Sequence, residues 1–177
     1  MFNLKQAAKT LLFLQENGVD SYEDLVRKSD VASEEFYGLT RKIKNAETRL
    51  KDISELQKQI GSYTKTRSIY TQYKVSKWNR NFYDEHTTEI IQHRTAKKYF
   101  DTQGFKGKLP SIASLKQEYA ALAAEKKSLY GGYRKLKDAS QELTLARGNA
   151  ERILGIESNA QNRDFLQEQS KRNTPER

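Results

Sequence analysis

Two histidines, His86 and His93, are the only imidazoles in a 177-residue chain that has no cysteine. They stand seven residues apart, which puts them on one face of a helix, with Glu89 one turn from His86. A His-Glu-His trio could hold a metal in principle. Helical chelates use a spacing of three or four residues, however, and no third strong ligand stands nearby. Two surface histidines on a basic helix are the expectation. Gly104 and Gly107 lack the Gly-Lys-Ser/Thr ending and the preceding strand of a phosphate loop. No nucleophile-elbow or Ser-His-Asp pattern occurs. No catalytic residue, metal ligand or cofactor is expected.

The stronger chemical signal is charge interleaved with aromatic rings. The chain carries a net +9. Residues 1–60 hold ten basic and ten acidic side chains, whereas residues 61–110 hold ten basic and four acidic. The same fifty residues contain nine of the eighteen aromatic rings. Such cations attract backbone phosphates, and exposed rings can stack on unpaired bases. Lys65, Arg67, Lys74, Lys77, Arg80, Arg94, Lys97 and Lys98 are the expected phosphate contacts, and Trp78 and Tyr73 the expected stacking residues. The competing expectation is that the cations are the solvated faces of helices, or that they meet an acidic protein surface.

The elements that position these residues follow from two apolar ladders. The first runs Leu25, Ser29, Ala32, Phe36, Leu39, Ile43, Ala46, Leu50, Ile53, Gln57, Ile60. The second runs Leu115, Tyr119, Leu122, Lys126, Leu129, Tyr133, Leu136, Ser140, Leu143, Arg147, Ala150, then Ile153 or Leu154. Steps of four and three put a narrow seam along a long helix, the mark of a coiled-coil partner. The spacing therefore predicts an all-α fold: an elongated antiparallel coiled-coil helical hairpin, with a small helical tip and a short N-terminal helix at its base. Residues 1–20 are that N-terminal helix, stopped at Gly18. Residues 21–60 are the first long helix, capped by Ser21 and broken at Gly61. Residues 61–110 are the basic, aromatic tip, with helices over 63–77 and 82–101 around a turn at 79–81. Residues 111–155 are the second long helix, capped by Ser111 and ended by Gly155. The polar tail, 156–177, is expected to be disordered. Polar residues on the ladders (Ser29, Gln57, Lys126, Ser140 and Arg147) are expected to fix register.

At 36% hydrophobic and 31% charged residues, the composition suits long helices with thin seams better than a globule. No apolar run approaches the roughly 20 residues that span a bilayer, so no membrane insertion is expected. Residues 1–13 have only two lysines and no small-residue cleavage site, so no signal peptide is expected. The lack of cysteine fits a reducing cytoplasm.

Four stretches carry a family resemblance: FNLKQAAKTLLFLQENG at 2–18, ISELQKQIG at 53–61, HRTAKKYF at 93–100 and LPSIASLKQEY at 109–119. Together they resemble the C-terminal region of relaxases, the mobilization proteins of conjugative and mobilizable elements of Gram-positive bacteria. The likeness extends over nearly the whole chain, to about Leu154. Relaxases nick one DNA strand at a transfer origin, using a tyrosine nucleophile and a metal held by a histidine cluster in an N-terminal domain. A three-histidine metal site cannot be built from His86 and His93 alone, and none of the ten tyrosines is assigned as the nucleophile, so no catalytic residue carries over. The resemblance implies a non-catalytic C-terminal module in conjugative DNA transfer. Its implied partners are DNA near the transfer origin and relaxosome or coupling proteins. The alternative is a structural coiled-coil interaction protein that forms a homodimer, or docks an acidic partner, without DNA contact.

Overall fold

The computed structural model describes residues 4–105 and 107–155. The expected disordered tail and Lys106 lie outside the described residues. The chain is all-α: among the described residues there are five helices, α1 (Leu4–Glu16), α2 (Tyr22–Val75), α3 (Arg80–Glu85), α4 (Thr87–Thr102) and α5 (Ile112–Leu154), and no strand. The long helices begin where local chemistry sets them. Ser21 Oγ accepts the Asp24 N–H at 3.1 Å, and Ser111 Oγ accepts the Ser114 N–H at 3.0 Å. Glu23 and Asp24 lie in the first turn of α2, where the helix dipole favours negative charge.

Two compact units are distinguished, Met1–Glu47 with Glu125–Arg177, and Thr48–Ala124; α2 and α5 contribute to both. In the first unit, Leu25 of α2 is buried with Ala146 and Ala150 of α5. Phe13 and Leu14 of α1 pack on the same cluster. Thr10 and Asn149, both buried, hydrogen-bond side chain to side chain at 3.0 Å. Pairs across the α2–α5 seam climb one helix as they descend the other. Tyr22 meets Glu151, Asp30 meets Arg147, Ser33 meets Ser140, Phe36 meets Tyr133, and Glu47 meets Lys126. The two segments are therefore antiparallel, as expected from the ladders. Three polar ladder positions find partners on the facing helix: Lys126 on Glu47 (2.7 Å), Ser140 on Ser33 (3.3 Å) and Arg147 on Asp30 (2.7 Å). These pairs single out one register. In the second unit Gln57 differs, because its side-chain nitrogen is buried with no hydrogen-bond partner.

In the second unit the core joins Ile53, Leu56 and Ile60 of α2 to Ala96 and Phe100 of α4 and Leu115 of α5. Arg49 Nε donates to Glu118 Oε1 at 2.7 Å on the α2–α5 seam of this unit. The expected break at Gly61 is corrected here, because α2 continues through it to Val75. One internal glycine costs only about 1 kcal/mol relative to alanine. Beyond it the stripe goes on through Tyr63, Thr66, Tyr70 and Tyr73, of which Thr66 and Tyr73 are buried and Tyr63 and Tyr70 half-buried. The expected single helix over 82–101 is two, divided at His86, which ends α3 and precedes α4. The start of α3 falls within the expected turn, with Asn79 Oδ1 accepting the Phe82 N–H at 3.1 Å.

Candidate nucleic-acid interface

Burial sorts the basic, aromatic region of the second unit into a core and a surface. Helix α4 turns Ile90, His93, Ala96 and Phe100 inward. The surface position expected for both histidines is corrected at His93, which is only 4% exposed. Its ring lies between two tyrosines, Tyr63 at 4.4 Å and 23° and Tyr70 at 4.2 Å and 18°. His93 Nδ1 is 3.1 Å from Thr66 Oγ1. The Thr66 hydroxyl already donates to the Ser62 carbonyl at 2.8 Å. It therefore accepts from His93, which places the imidazole proton on Nδ1. Burial holds the His93 pKa below the ordinary histidine value. The Tyr63 carbonyl acts in the opposite sense, and the charges of Lys97, Lys74 and Arg67 add to the lowering. His86 is half-buried against Phe82, with ring centroids 4.5 Å apart. Among the described residues no three His, Cys, Asp or Glu side chains gather as a metal cage would require.

The expected site residues fall into separate groups. Arg67 and Lys74 of α2 and Lys97 of α4 surround the His93 sandwich, close enough for their charge to act on it. The Arg94 guanidinium lies over the Tyr73 ring at 5.8 Å, within the range of a cation–π contact. Lys77 and Trp78 form the turn after α2, and Arg80 opens α3. Lys65 stands apart from the His93 group, in a groove it shares with Ser62, Gln92 and Thr95. Lys98 is exposed on α4. Tyr73 cannot serve as the expected stacking surface. It is 7% exposed, with Trp78, Phe82 and Tyr83 within 6.3 Å and Arg94 over its ring. Trp78 is 50% exposed and keeps that capacity.

Ion pairing separates these cations from those of the α2–α5 seam. Along the seam, Lys126, Arg147 and Arg49 each meet a carboxylate at 2.7 Å. In the basic region Arg80 reaches Asp84 only at 4.0 Å, with both side chains largely exposed, a pairing worth little in water. Lys65, Arg67, Lys74, Lys97 and Lys98 are all exposed, and none pairs with a carboxylate among the described residues. These cations face solvent without an ion-pair partner among the described residues, which suits them to meet a polyanion.

Periodicity carried a signal for the buried rings that charge counting missed. Tyr63, Thr66, Tyr70 and Tyr73 extend the first ladder by three, four and three, and Ile90, His93, Ala96 and Phe100 repeat by three, three and four. No protein-family model, no curated protein and no solved structure matches this chain.

Proposed function

We propose that this chain is a non-catalytic nucleic-acid-binding module, the C-terminal part of a conjugative relaxase, engaging DNA near a transfer origin in the cytoplasm. The observation that carries the DNA contact is the difference in ion pairing. Cations of the helical seam meet carboxylates at 2.7 Å, while Arg67, Lys74 and Lys97, whose charges all act on His93, pair with no carboxylate among the described residues. The placement in conjugation rests on the resemblance of residues 2–18, 53–61, 93–100 and 109–119. A relaxosome or coupling protein with an acidic face is the second class of partner this surface suits. Among the described residues no helix is long and apolar enough to cross a membrane. The test is fluorescence anisotropy with random-sequence DNA across a salt series. Micromolar binding that weakens steeply with salt supports phosphate contact. Absence of binding at low salt moves the reading to protein docking.

One observation favours the alternative of a coiled-coil interaction protein. Leu4, Leu11 and Leu12 of α1 are exposed, two of them at 58%. Sedimentation equilibrium separates the readings. A monomer at micromolar concentration leaves the seams closed within one chain, and a tight dimer favours pairing between chains.

A further inference from the structure

Three helices of this chain end in the same doubly hydrogen-bonded turn. After α1, the Val19 N–H donates to Leu14 O at 2.9 Å and the Gly18 N–H to Gln15 O at 3.2 Å. After α4, Phe105 and Gly104 repeat the pattern on Phe100 and Asp101, at 2.9 and 3.2 Å. After α2, Trp78 and Lys77 repeat it on Tyr73 and Lys74, both at 3.1 Å. This turn requires a left-handed residue at the first position past the cap, which is normally glycine. Gly18 (φ 57°) and Gly104 (φ 74°) meet the requirement without a side chain. Lys77 (φ 52°) meets it with one, and Trp78 follows at φ 63°.

Left-handed residues that carry side chains are strained, and they persist only where the surroundings hold them. Here Tyr73 and Tyr70 hold the indole edge to face, at 5.0 and 6.2 Å. The residue that follows the glycine packs inward in the other two turns, Val19 and Phe105 each joining a core cluster. Trp78 instead leaves half its surface open. The one turn that departs from glycine is thus also the one that displays its apolar residue. One edge of the indole covers the buried Tyr73 ring, and the rest is open to solvent between Lys77 and Arg80 in the chain.

We propose that the Lys77–Trp78 turn is a base-stacking site, at which an unpaired nucleobase lies on the indole and its flanking phosphate meets the neighbouring cations. This rests on the nucleic-acid reading above, and adds to it the class of ligand: a strand with at least one unstacked base. Trp78 is the only tryptophan in the chain, so its emission reports on this turn alone. The intact chain is titrated with a short single-stranded oligonucleotide, a duplex of the same length, and inorganic polyphosphate. Tryptophan emission is followed throughout, and anisotropy for the two labelled nucleic acids. The single strand is expected to quench the emission and polyphosphate to leave it unchanged. Trp78→Leu is expected to weaken single-strand binding by roughly fivefold to a hundredfold, the range for one stacked base, and Trp78→Phe by less. Lys77→Gly, which relaxes the turn and removes one cation, is expected to raise the thermal midpoint and weaken single-strand binding a few-fold. Single-strand binding that survives Trp78→Leu with equal affinity, or an equal quench by polyphosphate, overturns the stacking site and leaves the phosphate reading standing. A lowered midpoint in Lys77→Gly overturns the strain argument on which the site rests. Absence of binding to either oligonucleotide overturns both readings.

Discussion

His93 donates its Nδ1 proton to Thr66 Oγ1 across the α2–α4 interface at 3.1 Å, and both side chains are buried. The imidazole is buried, and the positive charges of Lys97, Lys74 and Arg67 act on it, so its folded-state pKa is lowered. The unfolded chain takes up the proton near the ordinary histidine value, about 6.5, and the folded chain does so only at lower pH. Stability is therefore complete above about pH 6.5 and declines as pH falls through the folded pKa. Thermal melts between pH 7.5 and 5 should show this slope, and His93→Phe should flatten it. Equal slopes in the two proteins would mean that His93 titrates normally. Thr66→Val leaves the buried Nδ1–H without an acceptor and should cost about 1–3 kcal/mol in chemical denaturation.

Gly61 lies inside α2, and a Cβ built there meets nothing within 4 Å. Its backbone is helical, so alanine removes unfolded-state freedom without a clash. Gly61→Ala should stabilise the chain by about 0.5–1 kcal/mol. A loss of stability would mean that this stretch of α2 needs to bend.

The same glycine marks where the sequence stopped being readable. The ladders were legible because a narrow seam forces apolar residues to a strict spacing. Leu25, Ile43, Ile53 and Leu115 are all buried where the spacing put them. Ser21 and Ser111 were legible because only a side-chain oxygen can satisfy the first amides of a helix. Gly61 was not, because a glycine that ends a helix and one that sits inside it look alike until the packing beyond is known. His93 was missed for a related reason. Its type suggests water, and only its place between Ile90 and Ala96 suggests burial. The basic region was legible as a composition. Its division into Tyr73 inside and Trp78 outside depends on the turn at Lys77, which no glycine announces.

Glu47 accepts from both Lys126 Nζ (2.7 Å) and Tyr130 Oη (3.1 Å) in the first unit. Lys126 occupies an apolar ladder position, so its charge needs this partner. The pair is about a quarter exposed, with side-chain exposures of 31% and 23%, which places its coupling at about 1 kcal/mol or less. A double-mutant cycle with Glu47→Gln and Lys126→Gln should return a coupling of that size. Glu47→Lys should destabilise more than Glu47→Gln, and adding Lys126→Glu should recover most of the loss. If the exchanged pair were no better than Glu47→Lys alone, the register across this seam would not depend on the contact.

Arg67, Lys74 and Lys97 are expected to act together on a polyanion, since their fields already converge on His93. Each phosphate neutralised contributes about 0.7–0.9 to the slope of log affinity against log salt. Replacing all three by glutamine should therefore lower the slope by about 2–3. Arg49→Gln should leave it unchanged, because Glu118 already balances that charge at 2.7 Å. The triple variant should also show His93 titrating at a higher pH by NMR, since part of what keeps the imidazole neutral has been removed. An unchanged slope together with a raised His93 pKa would place the phosphates elsewhere, with Lys65 and Lys98 the next cations to neutralise. An unchanged slope and an unchanged His93 pKa would mean that the three charges do not converge in solution.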